Sequence, residues 1–200
     1  MISILLTGFE PFGDNEVNPT ELVVSSFDLF ELDGLPQDIL LDRVVLPVDT
    51  SAPDVLEDVL RNTDYHIILH LGLHEKAEGL KIETVGRNLM DFRIPDNRGE
   101  KIVGKEIVEG GLEEIPSTFP VEAIEKALTE AGLPVTTSDD AGGYLCNMLL
   151  YRSLHFDRKE ERNAQIGFIH VPRLDVLDEE QLTVAVATVL TACVIATGEK

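Results

Sequence analysis

Residues 66–71 read HIILHL, a run so nearly apolar that it suits a strand covered on both faces rather than one with a wet side. A sheet buried on both faces needs helices above and below it, so the sequence on either side should alternate strands with amphipathic helices. It does. Ile2–Thr7 is a short apolar run that stops at Gly8, and Pro19–Glu31 follows with apolar residues at helical spacing. Leu40–Val48 reads as a second strand, and Ser51, Pro53 and Asp54 open a second helix before the run at 66–71. The order βαβαβ predicts a three-layer α/β domain.

The rest of the chain continues this pattern. Lys81–Arg93 (KIETVGRNLMDFR) begins with strand character at Ile82, Thr84 and Val85 and runs into a turn around Pro95-Asp96-Asn97 and Gly99. The polar, Gly-rich stretch from Asn97 to Pro116 reads as a long excursion from the sheet. Pro120–Ala131 is an amphipathic helix stopped by Gly132 and Pro134, and Val135–Thr137 is a short strand. A helix carrying Cys146 should run to about Leu154, Gln165–Val171 is the last strand, and Asp178–Ala196 is the closing helix. No repeat or linker divides the chain, so residues 1–200 are expected to form one domain, a usual size for a single α/β core.

Charge and cysteine content narrow the partners. The formal net charge of −21 argues against nucleic acid and anionic membranes, both of which need a basic footprint. Two cysteines, Cys146 and Cys193, make no disulfide framework and suggest a reducing compartment. MISILLTGFEP lacks the basic start and the length of a signal peptide, and the apolar Leu182–Ala196 is broken by threonines, as in a buried helix. The expectation is a cytoplasmic protein.

Three segments carry candidate chemistry. The loop Gly8–Thr20 places Phe9 and Phe12 at the carboxyl end of a strand, the edge where open α/β sheets bind ligands; both rings closing over the core is the other reading. It has no Gly-rich phosphate pattern, and His70 and His74 on a strand running into Gly72 do not have metalloprotease spacing, so neither a nucleotide nor a metal is expected. Ser138–Leu150 (SDDAGGYLCNMLL) sets Asp139 or Asp140 as a helix N-cap and Gly142-Gly143 as a flexible step, with Cys146 in the first turns. A helix start favours a thiolate and a developing oxyanion; the plainer reading is a small buried apolar residue. Glu83, between β-branched neighbours, and His170, at the end of the last strand, complete the set Cys–His–acid that a thiol nucleophile needs. From types and positions alone, Glu83 also fits a charged face with Arg87 and Arg93, and His170 a core or surface role.

Four motifs then act together: Gly8–Gly13 with Asn18-Pro19-Thr20, Asp91–Asn97 (DFRIPDN), Ala141-Gly142 with Tyr144–Asn147, and Gly167–Pro172 (GFIHVP). In this order they resemble the pyrrolidone-carboxylate peptidase (pyroglutamyl peptidase I) family. The resemblance implies an α/β/α sandwich with a mixed, mostly parallel sheet, assembled as a homotetramer and needing no cofactor. It also implies a cysteine peptidase that removes N-terminal pyroglutamate from peptides. Residue by residue, it implies Cys146 as nucleophile, His170 as base and Glu83 as its acid, with Phe9, Phe12 and Asn18 around the lactam ring and Arg93 as electrostatic support. Three positions depart from the commoner family pattern: Gly143 stands where many members have threonine, Leu73 where many have glutamine, and IETVGRN where PERVAIN is usual. They leave two other readings on the table: an inactive relative that binds N-terminally blocked peptides, and a hydrolase of a related lactam or amide.

Overall fold

The computed structural model describes residues 1–13, 15–29 and 38–198. Its strands are β1 (Ile2–Phe9), β2 (Ile39–Leu46), β3 (Ile67–Leu73), β4 (Leu80–Glu83), β5 (Val85–Arg87), β6 (Glu114–Pro116), β7 (Val135–Ser138) and β8 (Gln165–Val171). Its helices are α1 (Pro19–Ser26), α2 (Ala52–Asn62), α3 (Val121–Glu130), α4 (Leu145–Lys159) and α5 (Glu179–Gly198). Six strands form the central sheet in the order β2-β1-β3-β8-β4-β7. All neighbours are parallel except β4, which runs antiparallel to β8. The sheet is thus mixed and mostly parallel, as expected.

Side-chain alternation along the strands builds two cores. Ile4, Leu6, Ile67, Leu69, Ile169 and Val171 point to the layer holding α1, α3 and α5. Leu5, Ile68, Ile166 and Phe168, one residue out of step, point to α2 and α4. This is why the strands read as continuous apolar runs: each face has its own helices to meet. α5 is long and apolar enough to cross a membrane by length and composition, yet Leu182, Val186, Val189, Leu190 and Cys193 are buried in the first core.

Some expectations shift. α1 stops at Ser26 because Phe27 turns extended (φ −58°, ψ 130°) and buries its ring; the remainder of the expected helix, at 30 and 31, lies outside the described residues. The excursion 97–116 ends in β6, which pairs antiparallel with β5 to make a small second sheet. Neither Asp139 nor Asp140 caps α4. The N-cap is Tyr144, without a side-chain bond, and Asp140 instead closes the turn before it, Oδ1 accepting from the Gly142 N–H at 2.9 Å. Gly142 makes that turn at φ +80°, a region glycine enters freely, and the extra residues separate the aspartates from the helix start.

Candidate active site

The even-odd register of β8 and β4 aims both polar candidates at α4. In β8, Ile169 and Val171 belong to the first core, so Phe168 and His170 face the other way, toward α4. In β4, Leu80 and Ile82 belong to the first core, so Lys81 and Glu83 share the face with His170. The antiparallel pairing places Lys81 opposite His170 and Glu83 opposite Phe168. From there Glu83 Oε1 accepts the His170 Nδ1–H at 2.7 Å. Glu83 is 0% and His170 5% exposed, so the charge-assisted bond is shielded from water.

Cys146 arrives from the other side, in the first turn of α4, half-buried. The azimuth of that turn is set by Asn147: its Oδ1 accepts from the Arg87 N–H at 2.8 Å, and its Nδ2 donates to the carbonyls of Arg87 and Leu89 at 2.8 and 2.9 Å. Gly72 completes the fit, since a Cβ there would lie 2.6 Å from the Phe168 ring and 3.0 Å from Cys146 Sγ. Gly143 is equally constrained. Its carbonyl accepts from Asp91 N at 2.8 Å, and an added Cβ would lie 2.9 Å from the Asp91 backbone, so in this chain a side chain at 143 would force the Asp91 segment to shift.

The imidazole of His170 is held between the two groups. Burial by itself would lower its pKa; the charge and hydrogen bond of Cys146 and those of Glu83 outweigh it and raise it to about 9. A ring that holds its proton at neutral pH beside a sulfur at a helix start is the electrostatic arrangement of an activated thiol. Cys193 is the contrast: fully buried on α5, its thiol is pushed up to about 12 by burial.

Next to Cys146 is a small cavity of about 60 Å³ lined by Phe9, Phe12, Asn18, Val48, Leu73, Tyr144 and Leu145. Phe9 is buried and Phe12 half-buried, so both rings serve as core and as wall. Asn18 is the N-cap of α1: Oδ1 accepts from Thr20 N and Oγ1 at 3.0 and 2.9 Å, and Nδ2 donates to the Glu10 carbonyl at 3.0 Å. The segment after Phe92 buttresses this cavity. Asn97 donates from its backbone to the Val48 carbonyl at 2.9 Å and from Nδ2 to the Pro11 carbonyl at 3.2 Å. Tyr144 stacks edge-on against Phe92 at 4.7 Å and donates its hydroxyl to the Pro95 carbonyl. Arg93, in the same segment, is exposed and does not line the cavity.

The two histidines of the 70s have separate surroundings. His70 lies buried between Thr7 Oγ1 at 2.7 Å and Ser153 Oγ at 2.8 Å, its pKa lowered to about 3 by burial. His74 packs edge-on against His170, ring centroids 5.6 Å apart, and burial first, then Lys81 and His170, hold it below the usual histidine value. The sequence alone offers His74 only as a metal ligand to be set aside, and gives Val48, Tyr144 and Asn147 no stated role at the site. For Asn147 a signal existed, an amide next to the candidate nucleophile; for the others none did, because their roles come from neighbours distant in the chain.

A model of the pyroglutamyl peptidase family matches residues 2–197. The pyrrolidone-carboxylate peptidase of Pyrococcus furiosus is 40% identical over 171 residues, 86% of this chain and 81% of that protein. That of Thermococcus onnurineus is 32% identical over 197 residues, 96% of this chain and 94% of that protein. Among solved structures, pyrrolidone carboxyl peptidase from Thermococcus litoralis superposes with a TM-score of 0.92 at 31% identity, covering 100% of this chain and 96% of that one.

Proposed function

The chain belongs to the pyroglutamyl peptidase family, and from that premise we propose that it is a cysteine peptidase that removes N-terminal pyroglutamate from peptides, with Cys146, His170 and Glu83 as its catalytic residues. The observation that carries the reading is the His170 imidazole, bonded through Nδ1 to Glu83 at 2.7 Å and electrostatically coupled to Cys146, which itself borders a cavity walled by Phe9 and Phe12. Pyroglutamate has no free amine and no charge, so an apolar, aromatic pocket with few polar partners suits it. Asn18 lends polarity at the wall, and Arg93 acts from the exposed segment as electrostatic support.

In this mechanism the Cys146 thiolate attacks the pyroglutamyl carbonyl carbon. The resulting oxyanion is stabilised by N–H groups of the first turn of α4, which have no partner within the helix. His170, carrying a proton, gives it to the departing amine as the C–N bond breaks, leaving a thioester on Cys146. His170 then takes a proton from water, which attacks the thioester, and the thiolate leaves with free pyroglutamate released. Glu83 holds Nδ1–H throughout, fixing the tautomer and stabilising the imidazolium.

Comparing amides of pyroglutamate, proline and acyclic glutamate tests the substrate. The expected result is turnover of the pyroglutamyl amide with the other two at least a hundredfold slower, since a charged amine or a carboxylate would be buried against Phe9 and Phe12. Preference for a different amide would turn the assignment to a related lactam or amide hydrolase. Absence of turnover on all three would turn it to a binding relative.

The resemblance also supports a homotetramer. At −21 per chain, mutual repulsion opposes assembly and is screened by salt, with a Debye length of about 10 Å at 0.1 M. Assembly should therefore strengthen on going from low to moderate salt, read by light scattering; a monomer at both would count against it. Two unbridged cysteines support a reducing, cytoplasmic setting.

A further inference from the structure

A second depression, about 310 Å³, adjoins the ring cavity and shares Leu73 with it as a common wall. Its other lining residues are Asn15, Val17, Pro19, Arg173, Leu174 and Asp175. Val17 and Pro19 flank Asn18, which lines the ring cavity, and Arg173–Asp175 follow directly on the strand that ends in His170 and Val171. The two hollows are therefore neighbours on the carboxyl edge of β3 and β8, joined over one leucine.

Direction decides what the second hollow receives. Phe9, Phe12 and Val48 enclose the ring cavity, so a peptide whose first residue fills it must continue elsewhere. The scissile nitrogen must reach His170 to be protonated, which carries the departing chain toward the β8 end rather than toward Val48. Leu73, Leu174, Val17 and Pro19 are what it meets there. Val17 is 47% exposed, an apolar side chain open to solvent on this rim. Around it the charges are mixed: Arg173 is paired with Asp175 at 3.1 Å, and Asn15 donates to Glu75 at 2.8 Å.

We propose that this hollow is the subsite for the second residue of the substrate, and that it favours a medium or large apolar side chain there. The inference rests on the pyroglutamyl peptidase reading and adds the specificity of the departing side. Of the lining residues only Arg173 is a cation, and it is paired with Asp175, so the hollow offers an acidic second residue no unpaired cation and such a residue is disfavoured.

The test measures kcat/KM on amidated pyroglutamyl dipeptides with glycine, alanine, leucine, phenylalanine or aspartate second. Leucine and phenylalanine should exceed glycine by about tenfold, the effect of partly burying one such side chain, and aspartate should fall below glycine. Val17→Asp should bring the leucine-to-glycine ratio to about one while leaving the glycine substrate within about twofold. Its exposed position makes loss of fold unexpected, and Val17→Ala, with an intermediate ratio, checks the same surface without a charge. Equal rates across the series, with turnover intact, overturn the subsite and leave the peptidase reading standing. A preference unmoved by Val17→Asp also overturns it. No turnover of any member by folded protein overturns the peptidase reading, and the subsite with it.

Discussion

Cys146→Ala abolishes turnover of a pyroglutamyl amide, by a factor on the order of 10⁴ or more, while the melting temperature stays within a few degrees of the parent protein. Loss of a triad nucleophile has effects of this size because binding and the oxyanion site alone cannot supply the covalent path. The fold should tolerate the change. Cys146 is half-buried at a helix start rather than deep in the core, so the lost sulfur leaves little cavity. A thiol alkylator should inactivate the parent protein through the same residue. Cys193 should be inert to both tests: it is fully buried on α5, with its thiol pushed up to about 12. Mass spectrometry of the alkylated protein locates the label. Label on Cys193, or activity lost in Cys193→Ala and kept in Cys146→Ala, would overturn the assignment.

Glu83→Gln keeps the shape of the side chain and removes its charge, and turnover should fall on the order of 10⁴, within a wide range. The pH profile gives a readout that a structural role would not move. In the parent, Cys146 and Glu83 together hold the His170 pKa at about 9 against the lowering effect of burial. Removing the carboxylate takes away one of the raising interactions, so the imidazolium loses its proton at lower pH and the basic limb of the rate profile moves to the acid side. Stability should change modestly, by about 2 kcal/mol for a buried charge-assisted hydrogen bond made neutral. The competing role, a structural partner for arginine, finds no support in the geometry: Arg87 pairs with Glu114 at 3.0 Å and Asp140 at 3.6 Å, and Glu83 pairs with His170. A variant that melts early yet turns over near the parent rate would remove Glu83 from the mechanism.

Most of what was legible in the sequence is local physics. The runs at 2–7 and 165–171 read as strands because, Gln165 and His170 apart, every position is apolar or small and each strand has helices on both faces to meet. The boundaries of the last strand came out as Gln165–Val171 in both readings. The helix over 121–130 was legible from its apolar spacing and from Gly132, which ends it at φ +74°. Residue chemistry was legible too: a cysteine after a glycine step, a strand-end histidine and a carboxylate between β-branched residues announce their types wherever the chain takes them.

Their meeting was decided only by the tertiary structure. Glu83 and His170 are 87 residues apart, and they touch because β4 inserts antiparallel beside β8 with one particular register. Shifting that register by a single residue would turn Glu83 into the opposite core, and no local pattern in KIETVGRN encodes the neighbour it pairs with. The start of α4 has the same character. The aspartates before it have the right chemistry for a cap, but Asp140 is already committed to the Gly142 turn and to Arg87, and the Asn147 clamp onto β5 sets the first turn instead. The wall of the ring cavity joins Phe9 and Phe12 to Val48, Leu73 and Tyr144, held in place by Asn97. Composition and periodicity specify which surfaces must be buried; which buried surface lies against which is a property of sheet order and register, set by long-range pairing.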